Sequence, residues 1–455
     1  MGIHAVVSRV GRKMLRNGSR PAGTVLTGGV VHTLDQEDRV VEALAVRGRL
    51  IARAGSAREV APLIGPGTRV IDLRGRSVLP GINDSHLHGV WLGAMWPDLL
   101  MDRLAAGEHD GEPVRLENGR QRRAAILRTG RLLASLGVTS YTEPGLGPGE
   151  DAGRTGCFGS AALRDYARLA ADGRLTARVT ALMLFGELDG PSTLADLREG
   201  LRGFRPPAEV PGWLRVAGVK IFADGIPPMG TAWTDQPYAH GGHGGLLVEG
   251  SSPEDRAAAL TEMIAVAHAA GYQVGVHATG GRAVRAAVEA MRAAAARDGR
   301  DRRHYVIHGD LVAPRTLAAM AGSGIGLNTQ PGIAVATGDM LAAALGPEAL
   351  AGAWPLREAL AAGVRLCLSS DAPVLTPDWR VGVAQAGLPM GEALRAYTVV
   401  PARQDGAQDW KGTLETGKVA DLCVLGADLR AVEPAALPGV PVALTMVDGR
   451  VVHQA

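Results

Sequence analysis

Between Pro80 and Gln404, short apolar runs rich in β-branched residues alternate with stretches whose apolar positions recur every three to four residues. That alternation predicts a parallel sheet with helices outside it. The runs are 138–142, 177–185, 216–222, 273–277, 303–308, 324–329 and 364–370, and an eighth starts at Val78, passes a Pro80-Gly81 turn and ends at His88. Segments 160–172, 252–270, 282–297 and 314–321 carry the helical period, the second opening on Ser252-Pro253-Glu254, a helix-start signal. Eight β/α units predict an α/β chain folded as a (β/α)8 TIM-type barrel. In such a barrel the chemistry gathers at the C-terminal strand ends.

Outside the barrel the pattern changes. From Thr24 to Leu79, and again from Leu422 to His453, brief β runs are broken by Gly or charged turns such as Arg74-Gly75-Arg76 and Asp448-Gly449. Neither piece is a domain by itself. Together, residues 21–79 and 405–455 predict a small composite β-sandwich domain, with the barrel, residues 80–404, inserted between them. Residues 1–20 hold Arg9, Arg12, Lys13, Arg16 and Arg20 with no acid, and no apolar core or cleavage site follows. They read as a disordered basic extension rather than a secretory signal.

Composition narrows the function classes. Net charge is +2, from 48 basic and 46 acidic residues, which leaves no electrostatic footprint for nucleic acid or an anionic membrane. Mean hydropathy is +0.06, and no apolar run is long enough to span a bilayer. Cys157, Cys367 and Cys423 are scattered and odd in number, so neither a disulfide framework nor a thiolate zinc site is expected, and a cytoplasmic location is. A small-molecule substrate is the expected partner, with homodimerisation left open.

Candidate chemistry falls at the predicted strand ends. His86 and His88 close the first, and on an extended chain alternate side chains share a face. Lys220 lies in the fourth, ahead of Asp224; His277 ends the fifth, His308 the sixth, and Asp371 follows the eighth. Neutral imidazoles converging with a carboxylate suit a transition metal. Each residue also has a plainer role: Lys220 as a salt-bridged floor lysine, Asp371 as a helix cap, Asp224 as a loop anchor. His240 and His243, in a glycine-rich loop, read as lid residues, and His304, a strand length below the site, as structural. Trp91, Trp96 and Trp233 fit packing as well as substrate contact, and Gly280-Gly281-Arg282 fits either an anion site or a helix start.

Pro80-Gly-Ile-Asn-Asp-Ser-His-Leu-His88 resembles the first-strand signature of the amidohydrolase superfamily. Gly218–Gly225, His277–Arg282, Ser369–Pro373 and Gly412–Leu422 resemble amidohydrolase family 3, the branch with N-substituted formamide deformylases and D-aminoacylases. The resemblance implies two divalent metal ions, zinc first with manganese or iron as alternatives. His86, His88 and Asp371 would hold one ion and His277 and His308 the other, with Lys220 bridging them as a carbamate. It also implies hydrolysis of an amide-type C–N bond by a hydroxide bridging the metals, with Asp371 as the catalytic acid–base. Trp91, Asp224, Trp233, Arg282 and Gln330 are the expected substrate contacts. A cyclic amidase, a non-hydrolytic lyase or isomerase, and a metal-free scaffold are the alternatives. The chain departs from the family at His308-Gly-Asp310, where His-Ala-Gln is usual, at Gly281, where Asp is usual, and in the short stretch after His88. These departures touch the pocket walls.

Overall fold

In the computed structural model the described residues are 20–107 and 114–455. The basic extension expected over residues 1–20 lies, apart from Arg20, outside them.

Strands β1 (Thr24–His32), β2 (Val40–Arg47), β3 (Leu50–Gly55), β4 (Arg69–Asp72) and β5 (Ser77–Pro80) come from the N-terminal part. Their sheet is completed from the other chain end by β14 (Leu422–Leu425), β15 (Val442–Val447) and β16 (Arg450–Gln454), in the order β16-β15-β14-β5-β1-β2-β3, with β4 parallel to β1. The two chain ends therefore share one mixed sheet, joined by the antiparallel pairing of β5 with β14. One face is packed by Leu26, Val31, Leu44, Leu73, Val78, Leu422, Val424 and Met446.

The second sheet contains β6 (Ile82–Asp84), β7 (Val138–Leu146), β8 (Arg178–Leu184), β9 (Leu214–Phe222), β10 (Gln273–Ala278), β11 (Tyr305–His308), β12 (Gly326–Thr329) and β13 (Arg365–Leu368). They run in sequence order and every neighbouring pair is parallel. This is a (β/α)8 barrel. Residues of β7, β8 and β10 are buried throughout, as expected when barrel packing covers one face and helices the other. Helices Ser160–Ala171, Pro253–Ala269, Gly281–Asp298 and Pro314–Ser323 form the outer layer where the periodicity put them.

The first predicted strand needs correction. The run from Val78 to His88 is two strands in two sheets: Ser77–Pro80 belongs to the terminal sheet and only Ile82–Asp84 to the barrel. His86 and His88 lie beyond the strand, and His88 caps the helix Gly89–Met95. A proline cannot donate to a ladder, and the chain changes partners just after Pro80.

The sheets are clamped together beneath the barrel. The buried Arg178 guanidinium donates to Asp421 at 2.6 and 2.9 Å and to Asp448 at 3.0 Å, and lies over the rings of Trp213 and Trp410 at 4.9 and 5.2 Å. A second polar cluster sits nearby, where Asp405 accepts from Asn83 and Lys411 at 2.8 and 2.7 Å. Removing one member of a buried ion pair strands the other's charge, at about 3–5 kcal/mol. Arg178→Ala should therefore lower unfolding stability by roughly that amount, read from chemical denaturation; a shift below about 1 kcal/mol would mean that the clamp is dispensable.

Candidate metal centre

The barrel is closed by the segments that carry the chemistry. Asp371 N–H donates to the His86 carbonyl at 2.9 Å and His88 N–H to that of Ala372 at 2.8 Å. The Asp84 carboxylate accepts from both His86 N–H and Ser370 N–H at 3.2 Å. The end of β6 is thus held against the end of β13. Two of the candidate residues, His308 (φ 70°) and Asp371 (φ 56°), take left-handed backbone conformations. For non-glycine residues this costs on the order of 1–3 kcal/mol and persists where surrounding structure enforces it.

His86, His88, Lys220, His277, His308 and Asp371 all line one cavity at this end of the barrel. Ligand-type atoms of His86, His308 and Asp371 lie within 4.8 Å of one another. His86 Nε2 and His88 Nε2 approach the same Asp371 oxygen at 3.1 and 3.4 Å, and the rings of His277 and His308 are 4.5 Å apart. Three of the rings are oriented from behind. His88 Nδ1 faces Glu143 at 3.3 Å, His308 Nδ1 faces the Gln330 carbonyl at 2.8 Å, and His277 Nε2 faces the Gly225 carbonyl at 3.2 Å. Those contacts place a proton on the rear nitrogen and leave the other as a lone-pair donor. For His277 that donor, Nδ1, is buried without a partner, a cost that a cation would relieve. The donor set therefore fits a divalent ion that favours nitrogen and oxygen ligands.

Electrostatics agree. Burial holds His86 at about 3, His308 at about 4 and His277 well below its usual range, so these rings are neutral at pH 7, the state a metal requires of an imidazole. At His88 burial also disfavours charge, but hydrogen bonds to Asp371 and Glu143 outweigh it and push the pKa up to about 9. The proton retained there is one that a metal would displace. Burial pushes the Asp371 carboxyl up, yet His86, His88 and His308 together hold it well below the carboxylate range. Lys220 is lowered to about 8 by burial, against opposing pulls from Asp371 and Asp189. Its ammonium position lies 4.6 Å from the Phe222 ring centre.

Of the expected substrate contacts, only Trp91 lines the cavity. Gln330 stands behind His308 and donates to Ser369, which donates to Asn328. Asp224 is committed to the backbone: its oxygens accept from Trp233, Thr279 and Gly280 N–H at 2.8, 3.0 and 2.9 Å. Trp233 packs its backbone against Gly280, where a Cβ would collide with it. Arg282 turns to Asp235, 3.9 Å away and outside the cavity, and Asp235 also fills the space beside Gly281. His304 is structural: it accepts from Val274 N–H at 2.9 Å and meets His268 at 2.8 Å.

Sequence reasoning missed two acids. Glu143 accepts from Gly89 N–H at 2.6 Å and the Tyr166 hydroxyl at 2.8 Å while facing His88. An acid at the C-terminal end of the second strand run was its visible signal. Asp189 lines the cavity from the turn after β8, a position that reads as an ordinary Asp-Gly turn. Glu143→Gln should weaken divalent-metal binding about 10- to 100-fold, measured by competition with a chromophoric chelator. Unchanged affinity would remove Glu143 from the metal's support.

A family model described as the amidohydrolase family matches residues 98–453, beginning just past the two cavity histidines of the first unit. Protein LONG AFTER FAR-RED 3 of Arabidopsis thaliana is 22% identical over 545 residues, covering 91% of this chain and 89% of that protein. N-substituted formamide deformylase of Arthrobacter pascens is 30% identical over 195 residues, covering 39% of this chain and 36% of that enzyme. Among solved structures, an uncharacterized metal-dependent hydrolase from Pyrococcus furiosus shares the fold, with a TM-score of 0.70 at 21% identity over 90% of this chain and 99% of that one. Because the family model spans well over half of its length, the chain belongs to the amidohydrolase family.

Proposed function

We propose that the chain hydrolyses an amide-type C–N bond of a small molecule, with two divalent ions, zinc foremost, held by His86, His88, Lys220, His277, His308 and Asp371. The convergence of these six side chains on one cavity carries the reading. Likeness to a formamide deformylase supports the bond class. Such ions, when bound, supply Lewis acidity and lower the pKa of a water toward ~7.

The chain's own groups account for the proton traffic and for the fit. Asp371 is ionised at neutral pH, so it can accept a proton from the attacking water. It then returns that proton to the departing nitrogen, which as an unprotonated amide anion is a poor leaving group. Lys220 makes no hydrogen bond or ion pair with another described residue, and burial raises its neutral fraction. A neutral amine can add CO₂ and lose a proton to give an anionic carbamate with two oxygens, the group suited to joining two cations. Trp91, Leu100, Leu188, Phe222 and Val374 form apolar walls that would exclude bulk water from the reacting bond.

The test begins with metal-loaded chain and a panel of N-formyl amines, N-acyl amino acids and cyclic amides. Asp371→Asn keeps the side chain's size but cannot accept a proton near neutral pH. It should lose on the order of 10³-fold in kcat on an alkyl amide while still binding metal. The loss should shrink on a nitrophenyl ester, whose leaving group needs no proton; equal losses on both would count against proton return by Asp371. Lys220→Ala should lower metal content from two ions per chain toward one, with acetate or propionate restoring part of it. Full metal content in that variant without additives would reject the carbamate.

A further inference from the structure

Asp189 is the one acid on the cavity wall that hydrolysis leaves without a task. It sits in the turn that follows β8, with φ 51°, a conformation that Asp tolerates better than most residues. The turn is braced from outside, where Leu188 N–H donates to Glu150 at 2.8 Å. This geometry displays the Asp189 carboxylate toward the cavity, where more than a third of the residue's surface is open.

Its surroundings make the carboxylate conspicuous. The wall on which it sits is apolar, formed by Trp91, Leu100, Leu188, Phe222 and Val374. Asp189 makes no hydrogen bond and no ion pair with any described residue. Glu187, two residues earlier, carries the same charge, and Glu150 feels the like charges of both Glu187 and Asp189. The cations that feel Asp189 across the cavity, Lys220 and His88, belong to the metal-binding set. A charge on an apolar wall is costly unless something arrives to pair with it.

We propose that Asp189 is a specificity-determining residue that binds a cationic group of the substrate, an ammonium or guanidinium separated from the scissile amide by a short apolar spacer. The assignment rests on the amide-hydrolase reading above. A charge-assisted hydrogen bond of this kind favours the cationic substrate about 10- to 100-fold over a neutral one of the same shape.

Three acetamides of matched length separate the possibilities: N-(5-aminopentyl)acetamide, N-pentylacetamide and N-acetyl-6-aminohexanoate. On metal-loaded wild-type chain, kcat/KM should be at least about tenfold higher for the cation than for the neutral amide, with the difference in KM. Asp189→Asn and Asp189→Gly both accept the left-handed turn. In each the cation-to-neutral ratio should fall to near one. A ratio near one in wild type, or one unchanged in the variants, overturns the assignment. If no acetamide is hydrolysed, calorimetric titration with pentylammonium and pentanol decides it without catalysis. Tighter binding of pentylammonium that is lost in Asp189→Asn sustains cation recognition even if the bond class is wrong, and equal binding of the two probes rejects it.

Discussion

Closure of the barrel between its first and last strands is the constraint on which the site depends. β6 and β13 are short, and the hydrogen bonds that join their ends come from the last residue of β6 and from residues beyond both strands: the Asp84 carboxylate bridging His86 and Ser370, Asp371 N–H to His86, and His88 N–H to Ala372. The backbone that seals the barrel is thus the backbone that presents His86, His88 and Asp371. Barrel stability and the placement of these three side chains are coupled there, because opening the seam would separate them. Left-handed conformations at His308 and Asp371 are strain that this packing sustains.

Within that frame, desolvation sorts the ionisable groups. Burial drives His277, His308 and even His86, which faces Asp371 alone, neutral, whereas His88, between the two acids Asp371 and Glu143, keeps a proton. The result is lone pairs aimed at a common space, with one removable proton where a cation would sit. Behind them a layer of side chains fixes the rings: Glu143 with Tyr166 at His88, and Gln330 with Ser369 and Asn328 at His308. Ring orientation decides which nitrogen is free, so this layer would govern the affinity of any ion held there alongside the rings themselves. Its members are side chains committed to other protein groups, which is why Gln330 and Asp224 serve the scaffold rather than a substrate.

The cavity's asymmetry has a simple origin. Strand ends supply Lys220, His277, His308 and the wall residue Phe222, whereas most of the apolar wall comes from loops. The loop after β8 supplies Leu188 and Asp189, the stretch after β6 supplies Trp91 and Leu100, and Val374 follows Asp371. Two of these segments are tied to the seam, since Val374 N–H donates to the Asp371 carbonyl at 2.8 Å and Leu100 N–H to that of Pro373 at 2.9 Å.

The sequence by itself determined the barrel and the terminal β unit, and it singled out six metal-type residues that the fold brings to one cavity. Strand and helix periodicity are local, and several histidines, a lysine and an aspartate at the ends of buried runs stand out together even though each has a plainer role singly. It also placed His304 among structural residues. Only the tertiary structure decided where the Val78–His88 run divides, because a change of sheet at Pro80 depends on β14, which lies over 300 residues away. The same holds for side-chain allegiance. Asp224, Trp233, Arg282 and Gln330 were chemically suited to touch a substrate, yet each is claimed by backbone, packing or ion-pair partners brought in by other strands and loops. Asp189 was indistinguishable from a turn residue until the fold turned it inward. Long-range packing assigns partners, and a side chain's partners, rather than its type, fix what it can do.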